Sequence, residues 1–418
     1  MVAMMNVEAP NTKADKTVGG SSRAAERILT LDGIRGIAIA MVMLYHFVGV
    51  YRLHFHFMAD LESLSTFERV VTKTVGAGWV GVDLFFVLSG FLITGILYDA
   101  KGPARQYFRT FYARRVLRIF PVYYGFLILL MVLLPLLGES AAQRSLGGGL
   151  AWYGSYLSNI RDAFDPGLRA DWLFVGHIWS LAVEEQFYLV WPLFVFLFSR
   201  KTLLWICGVG AVCAFALRVS FEMTDVHPGL GFTLTPARMD ALAVGAFIAL
   251  SARGAGDFSN LLRWAPLAAA VSGFALVLLG VLQGGFTVFD PWVRTVGLSG
   301  VAILFGAFLV LAIGLSPESR AHGVLANPTL RWLGRYSYAT YLFHAPIATL
   351  LARKADFIGN TPPLFGTSFP GEAIFVVVAG SISLAVAWLS WRVWESHFLK
   401  LKRYFPYARH AGVPASAP

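Results

Sequence analysis

The chain reads as a series of apolar runs of about 20 residues, each long enough to cross a hydrocarbon core as a helix. Ten such runs lie at roughly 33–51, 78–98, 119–137, 178–198, 203–221, 236–251, 264–282, 296–315, 334–352 and 373–393. The longest connections between them are 52–77 and 138–177. There is no internal repeat and no separate soluble stretch. The pattern predicts an all-α integral membrane protein with about ten transmembrane helices. Its membrane domain spans 31–398, between a polar tail (1–30) read as disordered and a basic, then Ala/Pro-rich tail (399–418).

Composition agrees. Of 418 residues, 57% are hydrophobic and only 14% charged, against about 25% charged in a soluble domain. The net charge of +10 need not signal nucleic acid, because Lys and Arg concentrate in the cytoplasmic loops of membrane proteins. Counting ten spans places Lys13 to Arg27, Lys101 to Arg118, Arg200 and Lys201, Arg253 and Arg263, Arg320 to Arg335 and Lys400 to Arg403 on one side. The opposite connections are mixed or acidic, with Glu68, Asp162, Asp171 and Asp290; Arg353 and Lys354 run against the trend. Both termini are therefore expected in the cytoplasm, and the first thirty residues lack the apolar core of a secretory signal. Cys207 and Cys213 are six residues apart in one apolar run, so on a helix they diverge and no disulfide is expected.

Ionisable groups inside a bilayer are costly and usually face a protein interior or a wet cavity. Arg35 and His46 sit eleven residues apart in the first run, which puts them on one helix face about 16 Å apart along the axis. Arg35 falls near the cytoplasmic surface and His46 in the outer part. Asp83, Glu184, Glu185, Arg238, Asp240 and His344 fall at similar depth to His46, with His177 at the entrance of the fourth span. An imidazole is a suitable general base near neutral pH, and a carboxylate on its second nitrogen would fix its tautomer. Glu184 and Glu185 point about 100° apart on a helix, so one of them reads as a structural partner, with Arg238 as its counterpart, while Arg238 and Asp240 also read as a buried pair. Arg115 and Arg118, three apart, share a helix face. At a helix start their forks and free backbone N–H groups would bind an anion such as a phosphorylated cofactor. His54 and His56 have no companions, and no metal-ligand spacing is present.

Several segments together resemble the acyltransferase-3 family of multi-pass bacterial membrane O-acyltransferases: Leu31–His46, Gly81–Thr94 (GVDLFFVLSGFLIT), Phe111–Pro121 (FYARRVLRIFP), Trp179–Pro192 (WSLAVEEQFYLVWP), Arg238–Gly245 and Gly334–His344. The resemblance implies transfer of an acyl group, usually acetyl from cytoplasmic acetyl-CoA, to a hydroxyl of a glycan. The acyl-CoA is a substrate, with no tightly bound cofactor. The protein would sit in the bacterial cytoplasmic (inner) membrane among membrane lipids. The family's first-helix arginine and histidine fall on Arg35 and His46, its arginine pair on Arg115 and Arg118, and its WSL-x-x-E element favours Glu184 over Glu185. Some members carry an extracytoplasmic hydrolase-like domain. None follows here, so such a partner is expected to be a separate protein. The rival readings are a transporter or flippase, whose intramembrane charges would line a passage, and a membrane sensor or scaffold without turnover.

Overall fold

The structure, a computed structural model, describes residues 19–55, 65–164, 169–224, 229–359, 361–362 and 369–407. Residues 1–18 and 408–418 of the expected tails, and His56, lie outside the described residues. Among those described, every regular element is a helix and no strand occurs. In chain order these are α1 (Gly19–Phe55), α2 (Thr66–Gly76), α3 (Gly81–Asp99), α4 (Ala104–Leu136), α5 (Ser140–Gly154), α6 (Ser158–Phe164), α7 (Trp172–Val175), α8 (Trp179–Leu197) and α9 (Arg200–Met223). There follow α10 (Gly229–Thr233), α11 (Met239–Ser251), α12 (Asp257–Leu282), α13 (Leu298–Ile313), α14 (Arg320–Leu325), α15 (Pro328–Lys354), α16 (Asp356–Gly359), α17 (Phe369–Ser390) and α18 (Ser396–Lys400).

Eight stretches among the described residues are long and apolar enough to cross a membrane, built on α1, α3, α4, α8, α9, α12, α13 and α17. The chain is an all-α integral membrane protein. The other two expected spans are helices as well, but of a different kind. α11 has only 13 residues, and α15 carries Arg331, Arg335, Arg353 and Lys354. Both are mostly shielded from the surroundings by protein: α15 packs along α1, and α11 along α3. Glycine permits this closeness, as small residues do between membrane helices. A side chain at Gly245 would collide with the carbonyl of Val87, and one at Gly90 with that of Leu242.

Three boundaries differ from expectation. α1 begins at Gly19, so the end of the polar tail is helical. α4 begins at Ala104 rather than near 119, because nothing between Pro103 and Pro121 breaks a helix. Residues 401–404 form a further short 3-10 turn instead of leaving the bundle. The connection 138–177 is filled by α5, α6 and α7.

The helix ends sort onto two faces. At the basic end, Lys101 donates to the carbonyl of Phe198 at 2.8 Å, Arg200 pairs with Asp257 at 2.6 Å, and Arg253 pairs with Asp99. At the other end Arg52 meets Glu372 at 2.6 Å, Arg294 meets Glu222 at 2.6 Å, and Thr349 donates to the carbonyl of Leu173 at 2.9 Å.

Candidate active site

Three histidines from three elements converge toward the second end. His46 of α1 and His344 of α15 have ring centroids 4.8 Å apart, and His177, in the 3-10 turn before α8, lies 5.0 Å from His344 and 6.2 Å from His46. The backbone sets the tautomers of His46 and His344. His344 Nδ1 lies 2.7 Å from the carbonyl of Tyr341. A carbonyl only accepts, so Nδ1 carries the proton and Nε2 of the neutral ring is left as an acceptor. That Nε2 is 3.2 Å from His46 Nδ1, which also lies 2.9 Å from the carbonyl of Val42. Two acceptors facing His46 Nδ1 put its proton there. His46 Nε2 is thereby the basic nitrogen.

This corrects one expectation. The group on the second nitrogen of His46 is His344, not a carboxylate. Glu184 is buried and accepts from Ser89 Oγ at 2.7 Å, and Ser89 in turn receives Tyr188 Oη at 3.1 Å. Ser180, Glu184 and Tyr188 follow one another at intervals of four residues, so α8 presents them as a stripe. Ser180 Oγ is 2.6 Å from Tyr341 Oη, which donates to the backbone carbonyl of His177 at 2.7 Å. The stripe therefore runs from the histidines inward. Ser89, Ser180, Tyr188 and Tyr341 were missed from sequence; the spacing of four about Glu184 was the available signal for Ser180 and Tyr188, and Ser89 and Tyr341, on α3 and α15, had none. Glu185 points elsewhere, into the field of Arg115 and of Tyr123, Tyr124 and Tyr338.

Below the stripe are three buried arginines. Arg115 lies 5.6 Å from the ring of Tyr188, and Arg35, Arg115 and Arg118 interact electrostatically with one another. Arg35 pairs with Asp32 at 2.5 Å. Arg115 and Arg118 make no ion pair or hydrogen bond among the described residues, and Nε and Nη1 of each are buried and unpartnered. Glu395, itself buried, contributes an opposing charge near Arg118. The predicted helix-start contribution fails: Arg115 is three turns inside α4, where backbone N–H groups are already bonded. The anion-binding capacity is that of the guanidinium forks alone. Keeping unpaired cations buried costs several kcal/mol each, which an incoming polyanion would offset.

The remaining expected residues cross-link the fold. Arg238 pairs with Asp83 at 2.7 Å inside a box of Phe86, Trp179 and Phe232, not with a glutamate. Asp240 pairs with Arg218 at 2.6 Å, not with Arg238. Arg218, near the C-terminal end of α9, completes this pair and carried no signal in the sequence. Among the described residues no set of three His, Cys, Asp or Glu side chains is arranged to hold a metal ion, and both cysteines are free.

The fold and site define a multi-pass helical membrane protein with a buried row of polar side chains, cationic toward one end and imidazole-lined toward the other. A family model described as an acyltransferase domain matches residues 28–392, and the chain belongs to the acyltransferase-3 family. It is 28% identical over 342 residues to the peptidoglycan O-acetyltransferase OatA of Listeria monocytogenes, covering 77% of this chain and 49% of that protein. It is 26% identical over 338 residues to the O-acetyltransferase OatA of Staphylococcus aureus, covering 76% and 50%. The chain thus spans about half the length of these curated relatives. No solved structure matches it.

Proposed function

We propose that the protein is a membrane O-acetyltransferase. It takes an acetyl group from acetyl-CoA at the basic, cytoplasmic end of the buried polar row and transfers it to a hydroxyl of a cell-envelope glycan at the histidine end. The observation that carries this reading is the pairing of two unlike features on one buried row of polar side chains. Unpaired buried arginines match the phosphates of a nucleotide thioester, and a tautomerically ordered imidazole matches a general base.

The pantetheine arm runs past Arg35 and Tyr188 toward His46. His46 Nε2 accepts the proton of the attacking hydroxyl while its oxygen bonds to the thioester carbonyl carbon. The imidazolium is held by the acceptor nitrogen of His344. Collapse of the tetrahedral adduct breaks the C–S bond, and the proton passes from His46 to the departing CoA thiolate. Glu184 acts at a distance, fixing Ser89 and Tyr188 beside the passage. The positive-inside distribution of Lys and Arg supports a cytoplasmic basic end, and the bacterial relatives support the cytoplasmic membrane as the location. The relatives' names make peptidoglycan the first acceptor to assay.

The test uses purified protein in liposomes with acetyl-labelled CoA and glycan fragments. Label should move to the glycan with stoichiometric release of free CoA. Movement of glycan across the bilayer without CoA release would instead identify a transporter. Neither turnover nor transport would identify a sensor or scaffold.

A further inference from the structure

The last described segment, 401–407, folds back over the first half of α4. Arg114 Nη1 donates to the carbonyls of Lys402 at 3.1 Å and Phe405 at 2.9 Å, and its guanidinium lies 5.0 Å from the ring of Tyr407. Arg109 covers the ring of Phe405 at 5.5 Å, and Thr110 Oγ1 reaches the carbonyl of Pro406 at 3.4 Å. α4 therefore divides its cations by face. Arg109 and Arg114 pin this strap, while Arg115 and Arg118 remain unpaired in the interior.

The strap carries two side chains to the arginine cluster. Lys402 comes within the field of Arg114, Arg115 and Arg118, and its ammonium makes no ion pair among the described residues. Burial first, and these neighbouring cations second, disfavour the Lys402 ammonium unless an anion joins them. Tyr407 lies in the field of Arg115 and Arg114. It also walls a cavity of about 360 Å³ whose lining includes Phe91, Leu92, Gly95, Asp99 and Arg253. That volume falls among those of small-molecule sites. Phe91 and Tyr407 offer aromatic surface, and the Asp99–Arg253 pair offers a polar rim. A flat heteroaromatic ring uses both, whereas a lipid chain uses only the first.

We propose that residues 401–407 form the nucleotide-facing wall of the donor site, with Lys402 binding the donor's phosphates alongside Arg115 and Arg118 and the cavity beside Tyr407 receiving its purine base. This inference rests on the acetyl-CoA reading above and extends it.

The test compares acetyl-CoA with acetyl-pantetheine, which lacks the nucleotide and its phosphates, using the full-length protein and the variants Lys402→Ala, Lys402→Arg, Tyr407→Ala, Tyr407→Phe and Arg115→Ala. Lys402→Ala and Tyr407→Ala should each raise the KM for acetyl-CoA about tenfold, as loss of a charge-assisted or stacking contact does. kcat should hold, and the effect should vanish with acetyl-pantetheine. Lys402→Arg and Tyr407→Phe should restore most of the affinity. Unchanged acetyl-CoA KM, or equal weakening of both donors, would overturn the inference. So would a lipid that stays bound in the cavity at saturating acetyl-CoA. If Arg115→Ala weakens acetyl-CoA binding while the strap variants do not, only the strap assignment falls. If Arg115→Ala also leaves binding unchanged, the donor reading itself falls.

Discussion

His344 Nε2 faces His46 Nδ1 at 3.2 Å, and the backbone carbonyl of Tyr341 on the far side of the His344 ring sets which of the two nitrogens holds the proton between them. In the proposed mechanism a histidine takes the orienting task that a carboxylate performs in a Ser-His-Asp triad. Being neutral, it stabilises the imidazolium less than a carboxylate would, but it adds no second charge to a buried site. His344→Ala should lower kcat by about 10² or more, since a base in the wrong tautomer or orientation loses most of its advantage. The KM for acetyl-CoA should stay near that of the parent, because the proposed mechanism puts the donor's phosphates at Arg115 and Arg118. His344→Gln, whose side-chain carbonyl can accept from His46 Nδ1, should recover part of the loss. Steady-state kinetics with both substrates varied would check the split. Equal loss in the Ala and Gln variants would argue against an orienting role.

His46→Ala removes the proposed base. Transfer should fall by about 10² to 10⁴ while the protein still inserts in the membrane and binds acetyl-CoA. Measuring donor binding and glycan acetylation on the same preparation separates chemistry from folding. Normal turnover in this variant would end the assignment.

Arg115 and Arg118 are predicted to act on binding. Each buried guanidinium that meets a phosphate makes charge-assisted hydrogen bonds of roughly 1.5–3 kcal/mol, so Arg115→Ala or Arg118→Ala should weaken acetyl-CoA about 10- to 100-fold. Lysine should restore the charge but not the planar fork, leaving Arg118→Lys intermediate. Titration calorimetry with acetyl-CoA reads this directly. Because unpaired buried cations repel one another, the apo form of either Ala variant should also be no less heat-stable than the parent. A large fall in melting temperature would show that these arginines are structural.

Much of this was legible along the chain, and the gaps have physical causes. The Arg35–His46 stripe needed only helix geometry, and the Arg115–Arg118 pair only a spacing of three. Depth along a helix placed His46 and His344 in the same half of the membrane and His177 at the entrance of the fourth span, but depth does not say which way a ring nitrogen points. The role of His344 and the inward turn of Glu184 therefore waited for coordinates. Charge pairing is long-range: Asp83 and Arg238 are 155 residues apart, and nothing local tells Arg238 to choose Asp83 over Glu184. Arg218 was hidden by the apolar run around it. α11 and α15 are bundle helices largely shielded by their neighbours, so α15 tolerates polar residues and α11 can be short, while apolar length alone makes the two look like any other span. The strap 401–407 reads as a basic tail because its anchors, Arg109, Arg114 and Thr110, lie some 290 residues upstream.

Arg238 and Asp83 are both buried and joined at 2.7 Å, and they tie α3 to the 3-10 turn before α11. If they only hold the bundle together, Asp83→Ala should cost stability, not chemistry. Leaving a buried arginine uncompensated costs about 3–5 kcal/mol, so the melting temperature in detergent should drop markedly while the KM for acetyl-CoA of the folded fraction holds. Removing both charges, as Asp83→Ala with Arg238→Met, should recover much of that loss, since the penalty lies in the orphaned charge more than in the missing bond. The aromatic box of Phe86, Trp179 and Phe232 suits a methionine, whose thioether packs well against rings. A double variant that is stable but inactive would mean that Asp83 or Arg238 takes part in the reaction, and the boundary drawn here between site and scaffold would have to move to include them.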